Sequence, residues 1–450
     1  MSEDWTTDSN TALHLSLVRG SKDASVLAPN ESYTDFHPTF TYPIYGEDEK
    51  IYGYKDLVID LRFTSGSLAY FLSVRHSGKL TASNVDDPEA TLQDFIPECE
   101  KDEKVFSYQV EKDAASFRPY GKCIYEYTRN IGGSEVEFEV YHATFATPGF
   151  KEYHQRMQLF ILLYIEAGSY IDDEEDGWEF VVLYEKRKRT SSSGPGDVAY
   201  HFVGYSSLYN FYCYPEQVRM RLSQFVILPP FQRKGHGSEL YASIRKYVLA
   251  DPTIAELTVE DPAEAFEDLR DVCDLRELTA DARFMDEAFS PAPLVTSETA
   301  PADEFAPLAE GESAPADASG KAPRQRTKVR PAPAGVPASM AASGSVGLKG
   351  KGKGKGRMGP PVDKAWAEKW RKDLKIAGRQ FNRLVEMLIL RQLEPADERA
   401  YRLHVKERLY RFNFEQLAQI EKQERLEKLE ETYQSVKEDY MRILAGVRRV

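Results

Sequence analysis

Cysteine is scarce in this chain. The four residues, Cys99, Cys123, Cys213 and Cys273, form no CxxC pair and no ligand-like spacing. That excludes a disulfide framework and a thiolate zinc site, and fits reduced thiols in a nuclear or cytosolic protein. Long apolar runs are missing too: the stretch LFILLYI at 159–165 falls far short of the ~20 residues a bilayer span requires. The opening residues, MSEDWTTDSN, are acidic and polar and do not read as a secretory signal. Excess positive charge is absent as well. With 58 Lys and Arg against 72 Asp and Glu, the formal net charge is -14. Such a balance argues against a protein that coats nucleic acid and favours a basic protein partner. A soluble intracellular protein is expected.

What is present supports a substantial fold. Length alone suggests about three domains for 450 residues, and 42% hydrophobic and 12% aromatic content can fill a core. Residues 10–262 are dense in aromatic and β-branched side chains, with strand-like runs at 57–63, 135–145 and 178–186. Helical spacing over 152–168 stops at Gly168, and a helix over 238–249 repeats Leu240, Ile244 and Val248 at four-residue steps. Composition then shifts to Ala, Pro, Ser and Gly over 290–361, a stretch predicted to be disordered for want of side chains to bury. It holds a basic cluster at 321–331, readable as an import signal or as a plain charged linker, and a Gly-Lys alternation at 347–359. Helical patterning resumes at Trp366. Leu426, Leu429, Tyr433, Val436, Tyr440 and Ile443 alternate steps of three and four over fewer than three heptads, so this helix is expected to pack on the chain's own bundle.

The most informative stretch is FVILPPFQRKGHGSEL, residues 225–240. A buried strand over 219–228 ends at two prolines, which cannot continue its ladder. A basic, glycine-punctuated turn follows and opens a helix. Glycines let a ligand approach the main chain, and the N–H groups of a helix start favour a diphosphate. The P-loop pattern is absent because Lys234 precedes Gly235 and no magnesium-binding Ser or Thr follows. GxGxxG is absent because residue 240 is leucine. What matches is Q/R-x-x-G-x-G/A, a pattern that by itself is short and also describes an ordinary strand-to-helix turn.

A second strand, 254–261, ends in Glu260, Asp261 and Pro262. A lysine ammonium, with an ordinary pKa near about 10.4, has no lone pair at neutral pH. A partly desolvated carboxylate at a strand end could take its proton, whereas a solvated Glu-Asp-Pro would simply terminate the strand.

The segments SQFVILPPFQRKGHGSELY and LTVEDPAEAFEDLRD, with GEDEKIYGYKDLVIDLRFTSGSL, FKEYHQRMQLFILLYIEAGSYIDDEEDGW and VGYSSLYNFYCYPEQVRMRLSQ, closely resemble the catalytic subunit of type B histone acetyltransferases, of the GNAT superfamily, in a fungal-looking form. The likeness spans nearly the whole chain except the 290–361 stretch. It implies an α/β (α+β) GNAT acetyltransferase fold with an N-terminal mixed α/β domain at 1–125, a catalytic domain at 126–275, a linker at 276–362 and a C-terminal helical domain at 363–450. It implies acetyl-CoA as cosubstrate, no metal, and acetyl transfer to lysines in the tail of newly made core histone H four. Glu260 would be the general base, with Asp261 and Glu166 as supporting carboxylates. Cofactor contacts would fall on Phe225, Val226, Ile227, Gln232, Arg233, Lys234, Gly235, His236, Gly237, Ser238, Ala263 and Phe266, with an oxyanion donor near Val226 or Ile227. The histone tail would meet Glu47, Asp48, Glu49, Tyr209, Asn210 and Phe211. A WD-repeat β-propeller histone chaperone is the implied partner, through the 205–216 region, with no direct nucleic acid or membrane contact and residence in cytoplasm and nucleus. The Gly-Lys run resembles the histone tail itself, so Lys349, Lys351, Lys353 or Lys355 could be self-acetylated; a solvated linker is the other reading. Two further readings stay open: a GNAT enzyme acting on another protein amine, and a histone-binding scaffold with a vestigial cofactor site.

Overall fold

A computed structural model describes residues 5–188, 198–290 and 356–447. A small sheet is built from β1 (Leu13–Val18), β2 (Val58–Thr64) and β3 (Tyr70–Arg75), with β1 parallel and β3 antiparallel to β2. A second sheet has six strands: β4 (Lys122–Ile131), β5 (Ser134–Thr144), β6 (Trp178–Lys188), β7 (Val198–Cys213), β8 (Gln217–Ile227) and β9 (Ile254–Val259). They pair in chain order as an antiparallel meander, save that β8 and β9 run parallel. That parallel pair needs a crossover, supplied by the helix α3 (His236–Ala250).

The predicted runs at 57–63, 135–145, 178–186, 219–228 and 254–261 all fall on strands, because each offers apolar side chains to a covered face. The 152–168 helix is shorter than expected. It comprises α1 (Phe150–Met157) and α2 (Leu159–Tyr164), and Ile165 is already extended at φ -116. Glu166 therefore sits in the turn after the helix, beside Ala167 at φ 55 and a Gly168 N–H that donates to Ile165 O at 3.0 Å.

One apolar core runs from Ala12 to Leu257, through both sheets. The expected domain edge at 125/126 cuts β4, the outer strand of the six-stranded sheet, so the N-terminal and catalytic parts are a single packed body. The pairing is also ionic. Arg19 Nη2 meets Glu185 Oε2 at 2.5 Å, Arg187 bonds both Glu185 and Glu31, and all four side chains are nearly inaccessible.

The edge at 275/276 likewise falls inside a helix, α4 (Glu264–Ala280). Its second half joins α5 (Ala282–Phe289), α6 (Lys364–Asp373), α7 (Gly378–Arg391), α8 (Glu398–Phe412) and α9 (Lys422–Val447) around a second core. In α9, Leu429, Tyr433, Tyr440 and Ile443 are buried against this bundle while Leu426 stays exposed, so the three-four spacing serves packing within the chain. Met358 is also fully buried there, and its N–H donates to Ala288 O at 3.0 Å. Residues 356–361 are therefore packed, contrary to the disorder expected of them. Residues 291–355 lie outside the described residues, including the basic cluster and Lys349, Lys351, Lys353 and Lys355. The bundle is tied to the catalytic sheet by a main-chain rung, Leu257 N–H to Lys375 O at 2.9 Å, and by Arg371 Nη1 to Glu256 Oε2 at 2.8 Å.

Candidate active site

The site begins where two parallel strands part. The pairing of β8 with β9 ends at Leu222 and Val259, and Glu260 N–H makes the last rung to Leu222 O at 3.0 Å. Opposite Ser207 and Leu208 the β7–β8 register skips Ser223, a bulge that bends β8 away at that level. Asp261, at φ 29, and Pro262 turn the other strand outward. Beyond Leu222, no strand among the described residues pairs with this edge of β8. Leu228 N–H donates to Val203 O on β7, so by strand alternation the main-chain groups of Ile227 and Phe225 face the gap and those of Val226 face β7. Of the two residues near which an oxyanion donor is expected, Ile227 therefore turns its N–H to the gap and Val226 does not; Phe225 turns its N–H there too.

Glycine turn and helix start close one end of the gap. Gly235, at φ 85, is the N-cap of α3 and no side chain caps that helix. The N–H groups of His236, Gly237 and Ser238 have no intrahelical acceptor. A Cβ on Gly237 would lie 2.8 Å from Leu269 Cδ1, 3.8 Å from Phe225 Cε1 and 3.9 Å from Ile227 Cγ1. Glycine here keeps the main chain accessible between β8 and α4, as a diphosphate with an extended arm requires. Phe266 packs against Phe225 with the rings tilted and centroids 4.9 Å apart, and Ala263 is the N-cap of α4. Gln232 donates to Ile227 O at 2.8 Å, and Lys234 Nζ to Pro230 O at 2.7 Å, so both brace the turn. Arg233, at φ 58, is exposed.

His236 does not face this space with its side chain. The ring is buried, bonded through Nδ1 to Tyr127 OH at 2.7 Å and packed on Phe138 at 4.5 Å. Burial pushes its pKa down to about 4, so it is neutral at physiological pH and contributes only its main chain to an anion site. A cation that sequence reasoning missed stands nearby. Arg129 on β4 stacks on Tyr127, pairs with Glu239 at 2.5 Å, and its Nη2 would lie 3.4 Å from a Cβ on Gly235. Arg129 is 106 residues from the turn, and nothing local marks it.

On the other side of the gap, Glu260 accepts from Ser223 Oγ at 2.5 Å and from Arg221 Nη1 at 3.3 Å. The partly desolvated carboxylate expected here is instead an exposed one: the Arg221 and Glu260 side chains are 38% and 46% accessible. An exposed pair of this kind is worth about 0–1 kcal/mol, so a cationic substrate can replace Arg221 at little cost. Arg221 also starts a chain of aromatic contacts: its guanidinium lies 4.3 Å from the Phe211 ring centre, Phe211 is 4.7 Å from Tyr209, and Tyr209 is 4.7 Å from Trp178. The structure thereby joins Tyr209 and Phe211 to Glu260. Asn210 points elsewhere; it binds Glu179, which also accepts from Tyr247 OH and pairs with His142.

Asp261 and Glu166 are exposed. The Glu166 turn is held between two elements: Ala167 N–H donates to Tyr42 OH at 2.5 Å, and Gln224 Nε2 donates to Ser169 O at 2.8 Å. Tyr42 leads to the acidic turn, where the three carboxylates differ. Glu49 is consumed internally, accepting from Thr41 N–H at 2.7 Å, Tyr42 N–H at 3.1 Å and Asn10 Nδ2 at 2.8 Å. It shapes the turn, while Glu47 and Asp48 are the exposed charges.

The site is thus a parted strand pair with a helix N-terminus at one end and a carboxylate at the other. Comparison with known proteins identifies the family. Residues 5–166 match the family described as Histone acetyl transferase HAT1 N-terminus, and residues 352–394 match Fungal HAT1, C-terminal. The chain is 43% identical over 471 residues to the histone acetyltransferase type B catalytic subunit of Cryptococcus neoformans var. neoformans serotype D, covering 98% of each. To the protein of that name from Mycosarcoma maydis it is 36% identical, covering 98% of this chain and 88% of that one. For Candida albicans the figures are 33%, 99% and 91%. An aminoglycoside acetyltransferase structure from an uncultured soil metagenomic sample covers 38% of this chain at 12% identity and a TM-score of 0.21. The chain belongs to the family of histone acetyltransferase type B catalytic subunits.

Proposed function

We propose that this protein is an acetyl-CoA-dependent lysine N-acetyltransferase acting on the N-terminal tail of newly made core histone H four. The observation that carries the reading is the gap between β8 and β9, open-edged along Phe225–Ile227 and flanked by Glu260. Acetyl-CoA supplies an acetyl group activated as a thioester. The open edge of β8 would hold its extended arm by strand-like hydrogen bonds, and the N–H groups of residues 236–238, with Arg233 and Arg129, would hold its diphosphate. The Ile227 and Phe225 N–H groups are the donors available to a developing oxyanion. Glu260, aligned by Ser223, takes a proton from the substrate ammonium so that the amine's lone pair can attack the thioester carbon. The C–N bond forms, the C–S bond breaks, and CoA leaves as the thiol with the proton the amine gives up. Asp261 and Glu166 extend the negative field around that amine. Glu47 and Asp48 would attract a lysine-rich tail, while Tyr209 and Phe211 cover its aliphatic stems.

The β7–β8 hairpin exposes Tyr212 and Tyr214 at 74% and 84%, a surface suited to the WD-repeat chaperone. An enzyme acting on newly made histones would work in both cytoplasm and nucleus. Among the described residues no helix is long and apolar enough to cross a membrane.

The decisive assay offers histone H four tail peptide, a lysine-free tail peptide and a polyamine to the purified chain with acetyl-CoA, and locates the acetyl group by mass spectrometry. Transfer to tail lysines supports the reading. Modification of only an N-terminus or the polyamine would assign a different amine, and cofactor binding without turnover would make the protein a scaffold.

Two substitutions separate the halves of the site. Arg129→Ala is expected to raise the KM for acetyl-CoA about tenfold at unchanged kcat, the cost of one charge-assisted contact. The steady-state KM should also lose part of its salt dependence. Glu47→Gln with Asp48→Asn should instead raise the KM for the tail peptide several-fold and leave that for acetyl-CoA unchanged, with the difference shrinking at high ionic strength. Steady-state kinetics with each substrate varied in turn checks both.

A further inference from the structure

At the outer edge of the N-terminal sheet, β1 meets the segment at residues 33–37 through an antiparallel bridge of Leu15 with Phe36, both buried. Strand alternation then places His14, Asp35 and His37 together on the outer side. Their ligand atoms all lie within 4.8 Å of one another, the His14 and His37 ring centres are 4.6 Å apart, and His14 Nδ1 is 2.6 Å from Asp35 Oδ1. His37 Nδ1 is 3.0 Å from Leu13 O. A main-chain carbonyl can only accept, so Nδ1 carries the proton and Nε2 keeps its lone pair. This is the outer support that metal-binding imidazoles ordinarily have. Asp60, the register partner of His14 on β2, is already bonded to Arg62 and does not compete. Asp35 sits at φ 57, a backbone conformation uncommon for any residue but glycine, and its N–H is held by Ser16 Oγ at 3.1 Å.

We propose that His14, Asp35 and His37 form a binding site for a divalent transition-metal ion, with Zn²⁺ as the best-suited species. Two imidazoles and one carboxylate satisfy a borderline-soft ion and leave a fourth position to water. Small rotations of exposed side chains bring the donors to the roughly 2.0–2.2 Å that zinc requires. The site is separate from the acetyl-transfer gap and needs none of its residues. Its effect would be to clamp the segment at residues 33–37 onto β1. That segment continues to Thr39 and Phe40, whose N–H groups both donate to Leu163 O, and then to the acidic turn. The ion would therefore stiffen the platform that carries Glu47 and Asp48.

The test is calorimetric titration of chelator-treated, full-length protein with ZnCl₂, with melting temperature followed in parallel. One equivalent should bind and raise the melting temperature. Asp35→Asn and His37→Ala should each weaken binding at least tenfold. All three ligand side chains are partly or largely exposed, so these variants are expected to fold, and their metal-free melting curves check it. Absence of saturable binding, or binding that survives both substitutions or follows replacement of cysteines instead, would overturn the assignment. Histone acetylation need not change for the site to stand, so the test is independent of the catalytic reading.

Discussion

Glu260→Gln is expected to lower kcat for tail acetylation by about 10²–10⁴-fold, the usual range for loss of a positioned general base. The KM for acetyl-CoA should scarcely move, because the helix start that would hold the diphosphate lies across the gap. Glutamine keeps the shape and can still accept from Ser223. Because the side chain is exposed, the substitution removes no buried contact, and an unchanged melting curve would separate chemistry from folding. Single-turnover measurement with cofactor in excess reads the chemical step directly. A kcat within a few-fold of wild type would remove Glu260 from the role and leave Asp261 and Glu166 as the carboxylates to replace next.

The largest effect on stability should come from the buried ion network between the two sheets. Glu185→Ala strands Arg19 and Arg187 without their shared carboxylate, and an uncompensated buried charge costs about 3–5 kcal/mol. Urea unfolding should show a much lower midpoint than wild type, with Glu185→Gln intermediate. The pH dependence has a definite sign. Burial alone would raise the Glu185 pKa, but Arg19 and then Arg187 overcome that effect and hold it below the ordinary 4.5. A carboxylate depressed in the folded state stabilises the protein above its unfolded pKa and loses that contribution as pH falls through the folded value. The gap between wild type and Glu185→Gln should therefore be widest near neutrality and narrow only below about pH 4. A gap independent of pH would mean that packing, not charge, holds the interface.

Much of the fold could be read along the chain because its signals are local. Runs of aromatic, β-branched and other apolar residues marked β2, β5, β6, β8 and β9, and the glycines around His236 marked the start of α3. Glu260 was visible as the residue just past a strand's end. Features that depend on distant partners were not visible. Nothing in residues 46–49 distinguishes Glu49, bound to three donors from Asn10, Thr41 and Tyr42, from its exposed neighbours. His236 reads like a phosphate ligand within its turn, yet Tyr127 and Phe138 enclose its ring. Arg129 and Arg221 read like ordinary strand residues, yet one flanks the glycine turn and the other holds Glu260. The 125/126 and 275/276 edges implied by the resemblance fall inside β4 and α4, because where one core ends and another begins depends on distant partners too.

Local chemistry thus sufficed for the elements, since each depends on residues within one or two turns of backbone, whereas the cofactor turn and the kind of reaction stood open until the family resemblance was added. Tertiary packing alone opened the edge of β8. The bulge at Ser223 and the departure of β9 at Asp261 coincide only because strands about 40 residues apart in sequence are held side by side. That coincidence separates a closed sheet from one with room for a substrate.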